Sequence, residues 1–344
     1  MDGIEWKAAW TGGQYSLVRA AAATLLAFLL LESVFAAGEF WYFPASLVVA
    51  AVALGLGLGG RALTVLFATL LPFAGTASAD SGAITLATAW LFLHLGLPVA
   101  PYGSLAARGR TSPAGAWSMP GWYPFCCQTL FVVTRLVAGM QATMDGHTWL
   151  AAAFVLPAVL ALVPATALAA WSISLAVELY VAFGGDAGLA AVGLLHLLTL
   201  QPAWIPRPDD DTAATVFYDG TCALCHAAVR FLLAEDLAPP RFRIAPLQGS
   251  TFLERVPERV RITRPDSIVV ARGNEVLLRG NAVIAILDGL GGIWRVVAAF
   301  LDLLPRALVN AAYDAVARRR HRWFGRTPDS CPLMPAALRS RIDP

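Results

Sequence analysis

The sequence predicts two parts, a bundle of membrane-crossing α-helices followed by a smaller α/β domain. Of its 344 residues, 58% are hydrophobic and 14% are charged, whereas soluble domains average about 25% charged residues. The charges are uneven: residues 1–205 contain 6 Lys/Arg and 8 Asp/Glu, and residues 206–344 contain 19 and 15. This composition excludes one ordinary soluble enzyme, a disordered chain and a disulfide-stapled chain.

Eight apolar stretches approach the length of about 20 residues that a helix needs to cross a bilayer. They lie near residues 17–36, 41–58, 62–78, 82–100, 122–139, 148–163, 165–183 and 187–204. The sequence therefore predicts about eight crossings, with six or seven as alternatives, because residues 148–183 also fit one long bent helix.

Basic residues predict the orientation, because loops rich in Lys and Arg stay in the cytoplasm. With the N-terminus inside, five basic residues fall on the cytoplasmic side: Lys7, Arg61, Arg108, Arg110 and Arg207. Acidic residues fall outside: Glu39, Asp80, Asp145 and Asp186. We therefore expect a multi-pass protein of the inner (plasma) membrane with residues 206–344 in the cytoplasm. One crossing more or fewer would reverse the side of that domain.

Charged residues inside apolar helices are costly and are often functional. Arg135 and Glu178 each lie 13 residues into an outward-running stretch, so the two are expected at one depth, with Glu32 nearby. One interpretation is a structural ion pair that fixes helix packing. The other is a substrate or proton site.

Isolated histidines and paired cysteines in the apolar stretches also leave two interpretations open. His94 and His196 are either packed, hydrogen-bonded side chains or contacts for a quinone or haem. Cys126 and Cys127 are either buried, inert thiols or a relay to the second domain.

Two motifs carry a resemblance for the first domain: WTGGQYSLVR at 10–19 and PYGSLAARGR at 101–110. They resemble the horizontally transferred transmembrane domain of bacterial proteins, which is related to the membrane part of vitamin K-dependent carboxylase. The resemblance covers about residues 8–160 and implies a base supplied by an intramembrane lysine. Relatives often carry a Thr-Lys-Leu stretch after the second motif, but the nearest match here is Thr134-Arg135-Leu136, and Lys7 is the sole lysine. Because arginine stays protonated, carboxylase activity is disfavoured.

Residues 206–213 contain an acidic, proline-bearing linker, after which strand and helix patterns alternate. The predicted elements are a strand at Ala214–Tyr218, a helix at Ala223–Glu235, a strand at Phe242–Ala245, a hairpin of Ser267–Ala271 and Glu275–Leu278, and a helix at Asn281–Leu290. This order is that of a thioredoxin-like α/β domain. We place that domain at 214–335 and a tail at 336–344.

The chemistry is predicted at the first strand-to-helix turn, where Cys222 and Cys225 are one helical turn apart. The helix N-terminus favours a thiolate at Cys222, which would attack a disulfide, and Cys225 would resolve the mixed species. Gly220 permits a tight turn. Asp219 either accepts a proton from a buried Cys225 or caps the turn. His226 either tunes the redox potential or has a packing role.

A Cys-x-x-Cys motif is also half of a zinc site, but zinc needs two more ligands. Cys331, His321 and His226 are the remaining candidates and show no paired spacing, so we predict no metal. Pro265 occupies the place of the cis-proline that faces the dithiol in thioredoxin folds. Cys331 is either a third redox thiol or a tail residue without a role.

The second domain resembles the DCC family of thiol-disulfide oxidoreductases. The resemblance rests on Asp219-Gly220-x-Cys222-x-x-Cys225, Asp266-Ser267-Ile268, Gly280-Asn281-Ala282, Gly291-Gly292, Pro305-Arg306, Tyr313 and Arg318-Arg319-Arg320. It covers about residues 214–335, and it implies that Cys222 and Cys225 are the functional cysteines. A DCC domain fused to a horizontally transferred transmembrane domain is itself a familiar bacterial arrangement.

The leading functional hypothesis is therefore a membrane-anchored thiol-disulfide oxidoreductase. Its partners would be membrane lipid and a thiol or disulfide protein or small thiol. No cofactor is identified, although a quinone is an alternative electron acceptor. The other hypothesis is a maturation or transport module for a lipid or secreted peptide, with a regulatory or docking second domain. Residues 294–323 are expected either to lie on the anionic leaflet or to pack on the domain with the basic end solvated. Nucleic acid is not an expected partner, because no broad basic face with interleaved aromatic residues is present.

Overall fold

The computed structural model describes residues 10–74, 81–183, 188–208, 213–236, 239–262, 267–325 and 336–344. The chain divides into two compact units. The first contains Tyr15–Arg108 and Trp117–Trp204, and the second contains Ile205–Pro344 together with Thr11–Gln14 and Gly109–Ala116. The acidic centre of the predicted linker, residues 209–211, lies outside the described residues.

The first unit is built from apolar helices that follow the apolar stretches of the sequence. They are α1 (Gly12–Ala36), α2 (Tyr42–Leu56), α3 (Gly60–Ala74), α4 (Ser81–Leu95), α5 (Trp122–Met144), α6 (Thr148–Leu160), α7 (Pro164–Phe183) and α8 (Leu189–Thr199). Short 3₁₀ turns lie at Gly38–Phe40, Leu105–Ala107 and Pro202–Trp204. Residues 148–183 form two helices and not one, because Pro164 starts a new helix at the position that tolerates proline.

Length separates these helices into two groups. Four described helical stretches are long and apolar enough to cross a membrane: Gly12–Phe35, Gly38–Leu56, Trp122–Met144 and Pro164–Phe183. The other four are apolar but shorter: Gly60–Ala74, Gly82–Leu95, Thr148–Leu160 and Leu189–Thr199. By length and composition the first unit thus offers four crossings, fewer than the eight that the sequence predicts.

The first unit combines buried charged side chains with exposed apolar ones. Arg135 and Glu178 are buried. In contrast, Phe28, Val49 and Phe183 are 62%, 69% and 78% exposed. Such an exposed apolar surface exceeds the scattered hydrophobic residues of a soluble protein.

The second unit contains a mixed four-stranded sheet in the order β2-β1-β3-β4. The strands are β1 (Ala214–Tyr218), β2 (Phe242–Pro246), β3 (Val269–Arg272) and β4 (Glu275–Leu278). β1 runs parallel to β2 and antiparallel to β3, with Val216 opposite Ile244 and Val270. Every residue of β1 is buried, which explains its β-branched and aromatic sequence.

Helices cover both faces of this sheet. The unit contains α9 (Ala223–Glu235), α10 (Ser250–Arg255), α11 (Glu258–Arg261), α12 (Arg279–Leu290), α13 (Gly292–Leu303), α14 (Arg306–Phe324) and α15 (Ala336–Arg339). On one face Val216 packs with Leu232 of α9 and Ile286 of α12. On the other face Phe217 packs against Phe252 of α10, with ring centroids 5.2 Å apart.

The residues predicted to be a tail, 336–344, pack against the sheet edge. Ile342 forms a parallel bridge with Ile244 of β2. Asp343 forms an ion pair with Arg243, and Arg341 forms one with the fully buried Asp236. One β-bridge and two ion pairs thus attach these residues to the second unit.

The basic end of the C-terminal helices is largely solvated, since Arg318, Arg319 and Arg322 are exposed, but Arg320 is an exception. α13 and α14 are bent by 113° at their junction. Arg320, in the basic run of α14, is 3% exposed. Its guanidinium is held inside the second unit by an ion pair with Asp219.

Candidate active site

The two cysteines lie where β1 ends and α9 begins, as the sequence predicts. Cys222 is the N-cap of α9, and its sulfur accepts the Cys225 backbone N–H at 3.4 Å. The unpaired N–H groups and the dipole at a helix N-terminus favour negative charge, and Cys222 lies at this position. Both cysteines are free thiols.

The more buried of the two thiols is Cys222, whereas the sequence suggested that Cys225 would be the buried one. Cys222 is 0% exposed, whereas Cys225 is half-buried and lines a cavity. The reason is the direction of α9: Leu224, Cys225 and Ala228 line the cavity, while Cys222 sits at the helix start. The accessible sulfur in this reduced state is that of Cys225.

Burial raises the pKa of Cys225 to about 12, and the neighbouring Cys222 sulfur contributes to the increase. The positive charge of Arg320 acts against it. At neutral pH Cys225 is therefore a thiol that can donate its proton.

Asp219 holds the turn that precedes the dithiol. Its Oδ1 accepts the backbone N–H and the hydroxyl of Thr221, both at 2.9 Å. Its Oδ2 pairs with Arg320 at 3.0 Å. Burial alone would raise the pKa of Asp219, but the bonds from Thr221 and the charge of Arg320 outweigh it and lower the pKa. These contacts favour the capping interpretation, and proton transfer from Cys225 stays a prediction.

Gly220 and His226 close the turn from inside. His226 is buried and its Nε2 lies 2.8 Å from the Gly220 carbonyl oxygen. A carbonyl can only accept, so Nε2 carries the proton and donates. The described positive-φ glycines do not include Gly220, so the turn needs no left-handed backbone there. His226 thus has a positioning role through this bond.

The cavity beside Cys225 is large and apolar. Its volume is about 510 Å³, which falls in the range of small-molecule sites. α9, α12, α13 and α14 supply its walls, with Phe231, Leu287, Leu301 and Val316 among the lining residues. Arg320 is the charged residue among the described side chains that line it.

Sequence reasoning missed Arg320 as a site residue, because the basic run around it suggested a solvated end.

Replacing Arg320 leaves the Asp219 carboxylate without its cation, so we expect Arg320→Gln to lower the free energy of unfolding by about 1–3 kcal/mol at pH 7. The pKa of Asp219 is depressed in the folded state. Its contribution is therefore present above its unfolded pKa of about 4 and is lost as the pH falls through the folded value.

Urea unfolding at several pH values measures this effect, with Arg318→Gln as the control of equal charge change. Arg318 is exposed on the same helix. We expect the difference in the free energy of unfolding between wild type and Arg320→Gln to become smaller below about pH 4. If Arg320→Gln were as stable as wild type at pH 7, or if Arg318→Gln lost as much stability, a capping role for this ion pair would be contradicted.

Two predicted site residues, Pro265 and Cys331, lie outside the described residues. Across the described part of the chain, no group of three or more His, Cys, Asp or Glu side chains is placed to hold a metal ion. Nothing described therefore supplies the further ligands that a zinc site at Cys222 and Cys225 would need.

Three polar side chains in the apolar helices of the first unit form a buried cluster. Arg135 pairs with Glu178 and donates to the Ser174 hydroxyl at 2.7 Å. His196 Nδ1 lies 3.2 Å from Glu178 Oε2. Glu32 is exposed, and the ion pairs found among the described residues do not include it. The structure thus brings Arg135 and Glu178 together, adds His196 and leaves Glu32 apart.

The other singled-out side chains of the first unit have packing environments. Tyr15 Oη hydrogen-bonds His94 Nδ1, and the two rings stack with centroids 5.7 Å apart. Cys127 is buried and Cys126 is half-buried, and both are free thiols.

Comparison with known proteins assigns the second domain. Residues 216–326 match the DCC1-like thiol-disulfide oxidoreductase family. An uncharacterized protein of Bacillus subtilis (strain 168), YuxK, is 28% identical over 130 residues, covering 38% of this chain and 93% of that protein. A chloroplastic DCC family protein of Arabidopsis thaliana is 27% identical over 131 residues, covering 36% of this chain and 72% of that protein. No solved structure matches the chain. Residues 216–326 are therefore supported as a DCC1-like thiol-disulfide oxidoreductase domain.

Proposed function

We propose that this protein is a membrane-anchored thiol-disulfide oxidoreductase whose second domain acts in the cytoplasm. The position of the Cys222 sulfur carries this proposal. The sulfur lies at the start of α9, one helical turn before Cys225, and accepts the Cys225 backbone N–H. Asp219, His226 and Arg320 fix the turn around this pair.

The proposed reaction is thiol-disulfide exchange. The Cys222 thiolate attacks one sulfur of a substrate disulfide, the substrate S–S bond breaks, and the departing thiolate takes a proton. Cys225 then loses its proton and attacks the Cys222 sulfur, which releases the second substrate thiol. The substrate gains two electrons and two protons, and the protein is left with a Cys222–Cys225 disulfide. A second dithiol, from a thiol protein or a small thiol, restores the reduced form.

The burial of Cys222 adds a gating step to this scheme. A sulfur that is 0% exposed reacts only after the residues over it open locally. We therefore propose that opening at the turn precedes attack, while Cys225 waits on the cavity side as the resolving thiol.

The cavity supports a substrate with an apolar part. Its lining of Leu, Val, Ile and Phe side chains would bury an apolar group next to the Cys225 sulfur. The electron acceptor would thus be an apolar disulfide or, as an alternative, a quinone. A quinone would take the two electrons and two protons of the dithiol and become a quinol.

The thioredoxin-like fold is part of the proposal. The sheet order β2-β1-β3-β4, with one parallel pair and two antiparallel pairs, supports it. So does the placement of the dithiol between β1 and α9.

Membrane anchoring is supported by the first unit. It offers four helices of membrane-crossing length, and its exposed surface carries large apolar side chains such as Phe28 and Phe183. The motifs at 10–19 and 101–110 resemble the horizontally transferred transmembrane domain. We propose this fusion, lipid as the partner of the first unit, and the cytoplasmic side for both the N-terminus and the second domain.

A trapping experiment tests both the chemistry and the orientation. Removing the resolving thiol in Cys225→Ser should leave a mixed disulfide between Cys222 and glutathione when the membranes meet glutathione disulfide, which does not cross lipid. We expect this adduct in sealed inside-out vesicles and not in right-side-out vesicles, as measured by mass spectrometry of the peptide that contains Cys222.

Cys126→Ser with Cys127→Ser, in the same Cys225→Ser background, is the matched control and should trap the same adduct. An adduct in right-side-out vesicles alone would contradict the orientation. No adduct in solubilised protein, where both sides are open, would contradict the role of Cys222.

A second candidate function is favoured by the buried cluster of Arg135, Glu178 and His196. Buried charges in apolar helices are often substrate or proton sites. The first unit would then act as a maturation or transport module for a lipid or secreted peptide. This function predicts a phenotype that depends on Arg135 and survives Cys222→Ser.

A further inference from the structure

A guanidinium without a counterion is buried at one end of the first unit. Arg19 of α1 is 2% exposed. Within the described part of the chain no ion pair and no hydrogen bond joins it, and its Nε is a buried, unsatisfied donor. A buried charge without a partner is costly, so such groups in proteins are normally paired or bind a ligand.

Arg19 lines a small cleft, whose shape shows what it can hold. The cleft has a volume of about 40 Å³, room for about three water-sized groups. The ends of α2 and α4, the start of α3 and the loop after α4 form its walls. Its lining residues include Arg19, Gly57, Arg61, Thr64, His94 and Pro101. No carboxylate is among the described side chains that line it.

Several features of the cleft complement negative charge. Arg61 adds a second guanidinium, and the first turn of α3 brings free backbone N–H groups. The Tyr15 hydroxyl can donate to His94 Nδ1, which leaves Nε2–H of that ring as a donor. A Cβ atom at position 57 would lie 2.7 Å from Arg19 Nη2, which is too close. Gly57 has no side chain and therefore leaves room for the guanidinium.

The chain also holds the loop over this place. Ser16 of α1 donates to the Tyr102 carbonyl at 2.5 Å. Ser104 donates to the Pro101 carbonyl at 2.8 Å. Ala100, which also lines the cleft, has φ of 57°, a conformation that non-glycine residues adopt only when the surroundings impose it. The cleft is thus a formed site and not a gap between mobile side chains.

We propose that this cleft binds a phosphate group, with Arg19 as the buried anchor and Arg61 at the rim. Two guanidiniums and a helix N-terminus match the charge and the tetrahedral oxygens of phosphate. The volume admits the phosphate oxygens that face the guanidiniums, with the rest of the group at the mouth, and excludes a buried nucleotide. Free phosphate and the headgroup of an anionic lipid share this chemistry.

Thermal unfolding of the full-length protein in neutral detergent tests the site through its tryptophan fluorescence. One arm titrates sodium phosphate against sodium chloride at equal ionic strength. The other titrates a short-chain phosphatidic acid against phosphatidylcholine of the same chain length. We expect at least one arm to raise the melting temperature of wild type, and the arm that does so identifies free phosphate or lipid as the source.

The variants decide whether the cleft carries the effect. Arg19→Gln should weaken the apparent affinity for the stabilising phosphate compound at least tenfold. Arg61→Gln should weaken it severalfold and should not impair folding, because Arg61 is exposed. Arg108→Gln is the control, since Arg108 is exposed and outside the lining, and it should change the affinity less than twofold.

Without any ligand, Arg19→Gln should melt no lower than wild type, because it removes an uncompensated buried charge. The proposal is overturned if neither phosphate source exceeds its control in wild type. Equal phosphate responses in wild type, Arg19→Gln and Arg61→Gln would overturn it too.

Discussion

Cys222→Ser is expected to abolish the release of two thiols from one disulfide. In a single turnover, reduced wild type should convert one equivalent of glutathione disulfide into two glutathione thiols and a Cys222–Cys225 disulfide. The variant retains Cys225, whose pKa is raised to about 12 chiefly by burial. At pH 7 such a thiol is almost entirely protonated and is a poor nucleophile. Serine cannot form the internal disulfide, so the second thiol stays bound.

The measurement counts released thiols per protein after rapid mixing of purified, reduced protein with glutathione disulfide. Cys126→Ser with Cys127→Ser should release two thiols, because those sulfurs lie in α5 of the other unit. If Cys222→Ser also released two thiols per protein at the wild-type rate, Cys222 would have no catalytic role and the proposed function would fail.

Arg135→Gln should destabilise the first unit strongly. The ion pair of Arg135 and Glu178 has side chains only 4% and 10% exposed. Removing one partner leaves a buried, uncompensated carboxylate, which costs about 3–5 kcal/mol in proteins. We expect a melting temperature several degrees below that of wild type in detergent. The double variant Arg135→Gln with Glu178→Gln should recover most of the loss, since both charges are gone and a glutamine can still bond Ser174.

The double variant also separates packing from function in this cluster. If the pair only fixes helix packing, the restored protein should also regain its activity and its cellular role. If the pair is a substrate or proton site, stability returns and function does not. If Arg135→Gln alone were as stable as wild type, the ion pair would not contribute to the stability of the first unit, and the expected destabilisation would be wrong.

Local patterns predicted the second domain closely because they suffice to define its elements. The strand Ala214–Tyr218 and the helix Ala223–Glu235 are found with the predicted bounds, since a β-branched run and helical spacing meet at one turn. The hairpin strand begins at Val269 where the sequence suggested Ser267. Such boundaries depend on pairing with β1, which sequence patterns do not contain.

Contacts between distant residues could not be predicted in this way. Arg320 pairs with Asp219 across 101 positions, and its burial depends on how α14 returns to the turn. The covered state of Cys222 likewise follows from tertiary packing. Arg135 and Glu178 were predicted to pair because equal depth in two helices is readable from spacing, whereas the addition of His196 depends on where α8 packs.

If the first unit is anchored in a membrane as proposed, its short helices have a consequence for the surrounding lipid. α3, α4, α6 and α8 have 15, 15, 13 and 11 residues. At about 1.5 Å per residue they span about 16–22 Å, less than the hydrocarbon thickness of about 30 Å. A bilayer that accommodates α1 and α5 at full thickness must thin locally beside the short helices, or lipid headgroups must dip toward their ends. This hydrophobic mismatch favours a thinner bilayer for the protein, and vesicles of graded acyl-chain length would reveal it as a preference for short chains.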